Sequence, residues 1–213
     1  KRRSSSTSEK LSKFTITYTG NIYPGKRDPT PLFQAVAELK QEGRISPNDS
    51  EVRFFGSNVA ETISPLIEKY DLRKFVKIYG FVPFEESIKR QKESTVLLLL
   101  SWNDPRDKGT LTAKIFEYMG ARRPILASSV FKGGSIDNLL QESGCGIVAN
   151  EANEIKSILR KWREEFREQG EVASHYSPNE KVIKSYTRRE QARKLAEAFD
   201  EVISQHQGVE QAQ

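Results

Sequence analysis

"TVLLLLSWNDPRDKGTLTAKIFEYMGARRPILAS", Thr95 to Ser128, contains a strand, a loop, a helix and a second strand in one continuous run. Its opening residues, VLLLL at 96–100, are apolar at every position. A strand with one wet face alternates, so a run without alternation belongs to a sheet covered on both faces, which is the pattern of parallel α/β sheets. Farther along, Leu111, Ile115, Phe116 and Met119 recur at helical spacing and predict a helix that buries this stripe. Thr110 is its expected N-cap, leaving the N–H groups of Leu111 and Thr112 free to face an anion. Glu117 falls on another face, about two turns from that start.

The same alternation extends in both directions. FTITYT precedes PLFQAVAELKQEG, EVRFF precedes NVAETISPLIEKYD, and VKIYGFV precedes PFEESIKRQKE. Beyond the opening stretch, PILAS leads into GSIDNLLQESG, and GIV into NEANEIKSILRKWREEFREQG. The expected fold class is therefore α/β, a doubly wound, Rossmann-like parallel sheet of about six strands. Residues 14–205 form the folded unit, 1–13 a polar linker or tail, and 206–213 a frayed tail. The last stretch, SPNEKVIKSYTRREQARKLAEAFDEVISQ, reads as a long amphipathic helix or a pair of helices outside the alternation. Trp162 and Phe166 fit the apolar face of a helix, and Cys145 packs as a small apolar residue at a strand start.

Composition narrows the function. A chain of 213 residues, 36% hydrophobic and 30% charged, is enough for one large domain. The net charge of +5 is modest and sits partly in KRRSSSTSEK, so nucleic acid is not an expected partner. No apolar run reaches about 18 residues and no signal-peptide core opens the chain, so a soluble, cytoplasmic protein is expected. One cysteine, Cys145, and two distant histidines, His175 and His206, build neither a disulfide nor a zinc cluster, and no metal site is expected. The first residue is Lys1 and not Met, which suggests a piece beginning at a domain boundary of a longer protein.

In a doubly wound sheet, ligands sit beyond the carboxyl ends of the strands. After the first strand comes TGNIYPGKRDP, 19–29, where Gly20 and Gly25 permit tight turns and Lys26 and Arg27 supply positive charge. It can cradle a phosphate, or be an ordinary loop with solvated basic residues. It matches neither GxGxxG nor GxxxxGK[ST]. After the fourth strand comes SWNDPRDKGT, which places Trp102 in the same loop cluster. Glu117 and Lys114 are either site residues or an i,i+3 pair on a wet helix face.

KGTLTAKIFEYMGARRPILAS, preceded by VLLLL and by GFVPFEESIKRQKES, resembles the donor-binding half of retaining nucleotide-sugar glycosyltransferases of the GT-B architecture, the group 1 type. YTGNIYPGKRDPTPLFQAVAEL is similar to the opening strand–helix unit of that group, and the resemblance runs from about Phe14 to Ser204. It implies that Glu117 is the second glutamate of an E-x7-E motif, contacting the ribose hydroxyls of the donor. The first glutamate falls on Gly109, a departure that leaves the backbone of Lys108–Leu111, including Gly109, Thr110 and Leu111, to substitute. The family's phosphate-binding Arg and Lys fall on Asn21 and Lys26, so only the lysine is kept and Arg27 compensates. Backbone groups at Phe81 and Val82 would bind the edge of the base.

The implied reaction takes a sugar from a nucleoside diphosphate donor to a saccharide, lipid-linked or other hydroxyl acceptor. No cofactor and no obligatory metal are implied, in keeping with the lack of a DxD motif. An N-terminal acceptor domain would be missing from this chain, which would bind donor without transferring it. A peripheral position at the cytoplasmic face of a membrane is compatible with this reading. Two alternatives stay open. One is a non-hydrolysing nucleotide-sugar epimerase, which needs acid and base groups where no histidine is placed. The other is a nucleotide-sugar-binding module that has lost catalysis.

Overall fold

The structure is a computed structural model that describes the backbone of residues 13–210 and the side chains of 13–203. The expected tail at 1–13 lies outside the described residues except for Lys13, as do residues 211–213. Six parallel strands form one sheet: β1 (Phe14–Thr19), β2 (Ser50–Phe55), β3 (Val76–Gly80), β4 (Val96–Leu100), β5 (Ile125–Ser128) and β6 (Gly146–Val148). The helices that follow them are α1 (Thr30–Gln41), α2 (Val59–Lys69), α3 (Phe84–Lys92), α4 (Ala113–Ala121), α5 (Ser135–Ser143) and α6 (Ala152–Gln169). Every expected strand–helix unit is present.

The unbroken apolarity of β4 has the expected cause. Val96, Leu98 and Leu100 enter one core, with Tyr18, Phe33, Phe54 and Trp162. Leu97 and Leu99 enter the other, with Ile115, Tyr118, Met119 and Leu139. Side chains of a strand alternate across the sheet, so a wet face would have exposed every second one. Each fully buried leucine contributes about 1.5–3 kcal/mol of transfer free energy, and a polar residue at any of these positions would forfeit it.

Helix α6 closes the first core against α1. Its start is held by a reciprocal capping box between Glu151 and Glu154, and its end by Gly170 at φ 81°. Trp162 is buried as expected, and its indole N–H donates to the Ser174 carbonyl at 2.8 Å. Phe166 packs edge-on against Phe14. The C-terminal segment is a pair of helices, α7 (Glu180–Ser185) and α8 (Arg188–Glu210). Helix α8 continues past Gln205, where fraying was expected.

Helix α4 departs from expectation in its start and its buried face. Its N-cap is Thr112, not Thr110, because the Thr110 N–H donates to the Asp107 carbonyl and keeps the chain in a turn until Thr112 extends at φ −79°, ψ 144°. Glu117 is thus about one turn in. Ile115, Tyr118, Met119 and Ala121 are buried. Leu111 and Phe116 only pack against the edge of the core, Phe116 by stacking on Tyr186.

Candidate functional site

The strand order β3-β2-β1-β4-β5-β6 reverses direction between β1 and β4, so the loops after these two strands flank a crevice at the switch point. Both candidate loops lie there. The β1 loop is fixed by its own backbone groups. Gly20, at φ 111°, donates its N–H to the Phe55 carbonyl at 2.7 Å. The Asn21 carbonyl accepts from the Tyr18 hydroxyl at 2.6 Å and from Arg27 Nη1 at 2.7 Å. The side chain of Asn58 clamps Ile22 from both sides, accepting from its N–H at 3.0 Å and donating to its carbonyl at 2.7 Å. A loop tied this way presents Lys26 and Arg27 from a fixed frame. The guanidinium of Arg27 lies 4.5 Å from the Tyr23 ring centroid, and Lys26 Nζ lies 4.8 Å from that of Trp102.

The β4 loop faces it across a cleft of about 520 Å³ lined by Tyr23, Lys26, Arg27, Trp102, Asp107 and Thr110, among others. A short 3₁₀ turn, Pro105–Asp107, is capped by Asp104, and Ser101 Oγ donates to Asp107 Oδ2 at 3.1 Å. Arg106 also covers the Trp102 ring, at 4.6 Å. The backbone of Lys108–Leu111 is partly committed: Lys108 and Thr110 N–H groups donate within the turn, and the Lys108 carbonyl accepts from Ser135. That leaves Gly109 and Leu111 as the free donors of the stretch. Gly109 points into open space, and neither it nor Leu111 lines the cleft.

Behind the crevice lies a buried polar cluster. Gln91 on α3 is fully buried, with its Nε2 3.2 Å from Glu117 Oε2, 3.1 Å from Thr19 Oγ1 and 3.3 Å from Ser87 Oγ. An amide nitrogen has two hydrogens, so it serves two of these three acceptors at a time. The Tyr118 hydroxyl accepts from the Thr19 N–H at 3.1 Å, fixing α4 to the end of β1. Glu117 is half-buried and held by α3, not solvated on a wet face.

Lys114 overturns the surface-pair alternative more fully. Its side chain turns inward, and Nζ sits 4.0 Å from the Tyr18 ring centroid with neither solvent exposure nor a hydrogen-bond partner. It lies so close to Gly20 that a Cβ there would come 2.8 Å from it. Burial first, then the charge of Arg27, lower its pKa from the usual lysine value to about 7, against a weaker opposing pull from Glu117. Thr112 Oγ1 and Gln91 Oε1 are buried and unpartnered as well. Buried polar atoms normally find partners, and two without one, Thr112 Oγ1 and Lys114 Nζ, flank the start of α4, with Gln91 Oε1 on the neighbouring α3.

Phe81 and Val82 line a second cleft of about 440 Å³ on the β2 and β3 side, with Gly20, Asn21, Ser57 and Phe84. Phe81 is 75% exposed and Phe84 63%. The β1 loop therefore borders both clefts, with its glycine end on one and its basic end on the other. Asn21 accepts through Oδ1 from the Ser57 hydroxyl at 3.0 Å. Gln91, Asp107, Asn58 and Tyr118 were not singled out from the sequence. Asp107 lies in the candidate loop after β4, whereas the contacts of Asn58 and Tyr118, and those of Gln91 apart from Ser87, are to residues distant in the chain. Among the described residues, no group of three or more His, Cys, Asp or Glu is placed to hold a metal ion. No described helix is long and apolar enough to cross a membrane.

No protein-family model matches the sequence, and no curated protein matches it. Solved structures do share its fold. Anabaena HepE in complex with UDP-glucose is 17% identical with a TM-score of 0.62, over 91% of this chain and 49% of that one. Sucrose-phosphate synthase from Thermosynechococcus elongatus is 13% identical with a TM-score of 0.63, over 91% of this chain and 46% of its own. The C-terminal domain of LpcC, a glycosyl transferase group 1 family protein from Francisella tularensis, is 14% identical with a TM-score of 0.59, over 81% of this chain and 85% of that domain. The chain spans about half the length of the first two. Its fold is that of the C-terminal domain of GT-B glycosyltransferases.

Proposed function

We propose that this chain is the donor-binding half of a retaining glycosyltransferase and binds a nucleoside diphosphate sugar at the crevice between β1 and β4. The observation that carries the reading is the convergence of Lys26, Arg27 and the start of α4 on one cleft, with Glu117 in the polar cluster behind it. The first N–H groups of α4 have no intrahelical acceptor and carry partial positive charge, so a diphosphate resting on them meets dipole and cations together. Glu117, one turn in, accepts the two ribose hydroxyls, which fixes the nucleoside beside the diphosphate. Backbone groups at Phe81 and Val82 take the edge of the base in the second cleft. Trp102 and Thr110, which line the cleft, border the sugar, and the unpaired N–H groups of Gly109 and Leu111 lie just outside it.

The chemistry follows from where charge develops. As the anomeric C–O bond breaks, its electron pair goes to the diphosphate, and the acceptor oxygen forms the new bond. Lys26 and Arg27 stabilise the leaving group as its charge grows, which is electrostatic catalysis of the oxyanion-hole kind. These groups supply the charge without an obligatory metal. The acceptor, a saccharide, lipid-linked or other hydroxyl compound, would be held by an N-terminal domain outside this chain. Positioning it there contributes about 7–11 kcal/mol of the barrier reduction, so this chain alone binds donor and transfers little.

Gly109 and Asn21, standing where an acid and a cation are expected, favour one second reading, a binding module without catalysis. Sugar transfer by the longer protein separates the two. For the donor site itself the test is titration calorimetry of the folded chain with UDP, GDP, ADP and TDP. Binding of at least one is expected, and binding of none refutes the proposal.

A further inference from the structure

Among the described residues, Lys114 is the one lysine or arginine with a side-chain nitrogen buried without a partner. It has three N–H donors when charged, none of them paired, on a nitrogen closed off from water. The charged or titratable groups facing it are Arg27 from the β1 loop, Glu117 from its own helix and Tyr18 from β1. Gln91, from α3, reaches Glu117 but carries no charge. Tyr18 stays a neutral phenol, since burial pushes its pKa up to about 12 and its hydroxyl is already donating to Asn21. Arg27 opposes a second positive charge beside it, and the half-buried Glu117 does not offset burial and Arg27 together. Gly20, which packs against Lys114, lines the cleft of Phe81 and Val82, and Arg27, whose charge acts on Lys114, lines the cleft of Lys26 and Trp102. A nitrogen whose charged form lacks a partner, next to a crevice whose other basic residues already face solvent, awaits an anion.

We infer that Lys114 is a chargeable third cation of the donor site: it rests as a neutral amine against Tyr18 and Gly20, and takes up a proton when a diphosphate enters the crevice. This rests on the donor-binding reading above and adds to it that ligand binding and protonation are one event. The proton comes from solvent buffer, and the new N–H bonds go to diphosphate oxygens. The site thereby avoids holding Arg27 and a lysinium side by side without an anion, and presents full charge only to a ligand that carries enough of it. A neutral ligand of the same shape gains nothing from Lys114.

Proton counting tests this. The full 213-residue chain is titrated at pH 8 with UDP, GDP, ADP and TDP in two buffers of different ionisation enthalpy. A terminal phosphate loses its second proton near pH 6, so at pH 8 any proton taken up belongs to the protein. With Lys114 titrating near 7 at rest, uptake of about 0.9 of a proton is expected. Affinity should fall roughly fifty-fold from pH 7 to pH 9 as the cost of recharging the amine rises. Lys114→Met, which fills the same space, should bind more weakly at pH 7, take up no proton and lose the pH dependence, with its melting temperature confirming the fold. Binding whose heat is the same in both buffers overturns the inference and leaves the donor site standing. Uptake that persists in the methionine variant also overturns it. Binding of none of the four nucleotides overturns both.

Discussion

Glu117→Gln replaces one carboxylate oxygen by an NH₂ group and should separate recognition from stability. In the resting structure Glu117 accepts one long hydrogen bond, from Gln91 Nε2 at 3.2 Å, and a glutamine carbonyl still accepts it, as a neutral bond. Core packing is untouched, since the neighbours Ile115, Tyr118 and Met119 supply the buried face. Stability should therefore stay within about 0.5 kcal/mol of wild type. Binding should not. A hydrogen bond to a charged acceptor is worth about 1.5–3 kcal/mol, and an amide keeps only a neutral one, so a loss of about ten- to a hundredfold in nucleotide affinity is expected. Calorimetry with a nucleoside diphosphate and its 2′,3′-dideoxy analogue measures this. The ribose nucleotide should drop on the variant, while the dideoxy compound, already lacking the hydroxyls, should lose much less. Equal affinity of wild type and variant for the ribose form would refute the reasoning and return Glu117 to a structural partner of Gln91.

Other consequences concern the frame around the site. Gly56→Ala would put a Cβ 2.3 Å from the Gly20 carbonyl oxygen and 2.9 Å from Val59 Cγ1, so the β1 loop must shift. Urea denaturation should show a loss of about 1–3 kcal/mol, and calorimetry a weakened nucleotide. Lys114 depresses stability near neutrality: its folded pKa of about 7 lies below the unfolded value, so the unfolded chain holds more protons above pH 7 and stability rises with pH from there toward 10. The slope contributed is at most about 1.4 kcal/mol per pH unit, and Lys114→Met should remove it in denaturation curves at pH 7, 8 and 9. Asp49 also makes stability rise with pH, but in an acid window and as a stabilising group. Burial pushes its pKa up, but hydrogen bonds from Ser50, Ser46 and Arg163 prevail and hold it down to about 2. Its contribution is present above about pH 4 and lost as pH falls toward 2, and Asp49→Asn should flatten thermal stability across that window.

What the sequence made legible was whatever short-range pattern dictates. VLLLL at 96–100, too short for a helix of its own and without alternation, reads as a strand covered on both faces, and the repeated strand–helix units follow from local periodicity. The two loops flanking the crevice were legible through their Gly, Pro and basic residues, because the topology of such sheets puts functional loops after the strands. The helix start was misplaced by two residues because the 3₁₀ turn at Pro105–Asp107 and its hydrogen bond to Thr110 spend the backbone donors that a cap at Thr110 needed. Lys114 was legible as a candidate but not in its inward course. A helical wheel assigns a lysine to water, and nothing local says that its stem can run inward. The hint was Gly20, ninety-four positions away, whose missing side chain makes the room. Gln91 gave no sign at all, since Thr19 and Glu117, which it joins, lie on β1 and α4, far from it in the chain.

A crystal structure of this chain with whichever of UDP, GDP, ADP or TDP it binds tests the central claim most directly. The account predicts the diphosphate at the β1–β4 switch point, in hydrogen-bond reach of Lys26, Arg27 and the first N–H groups of α4, with the ribose hydroxyls on Glu117 and the base beside Phe81 and Val82. A nucleotide found elsewhere, such as the basic recess of Lys40, Arg73 and Lys74 at the opposite end of the sheet, with the switch-point crevice left without it, would contradict the account.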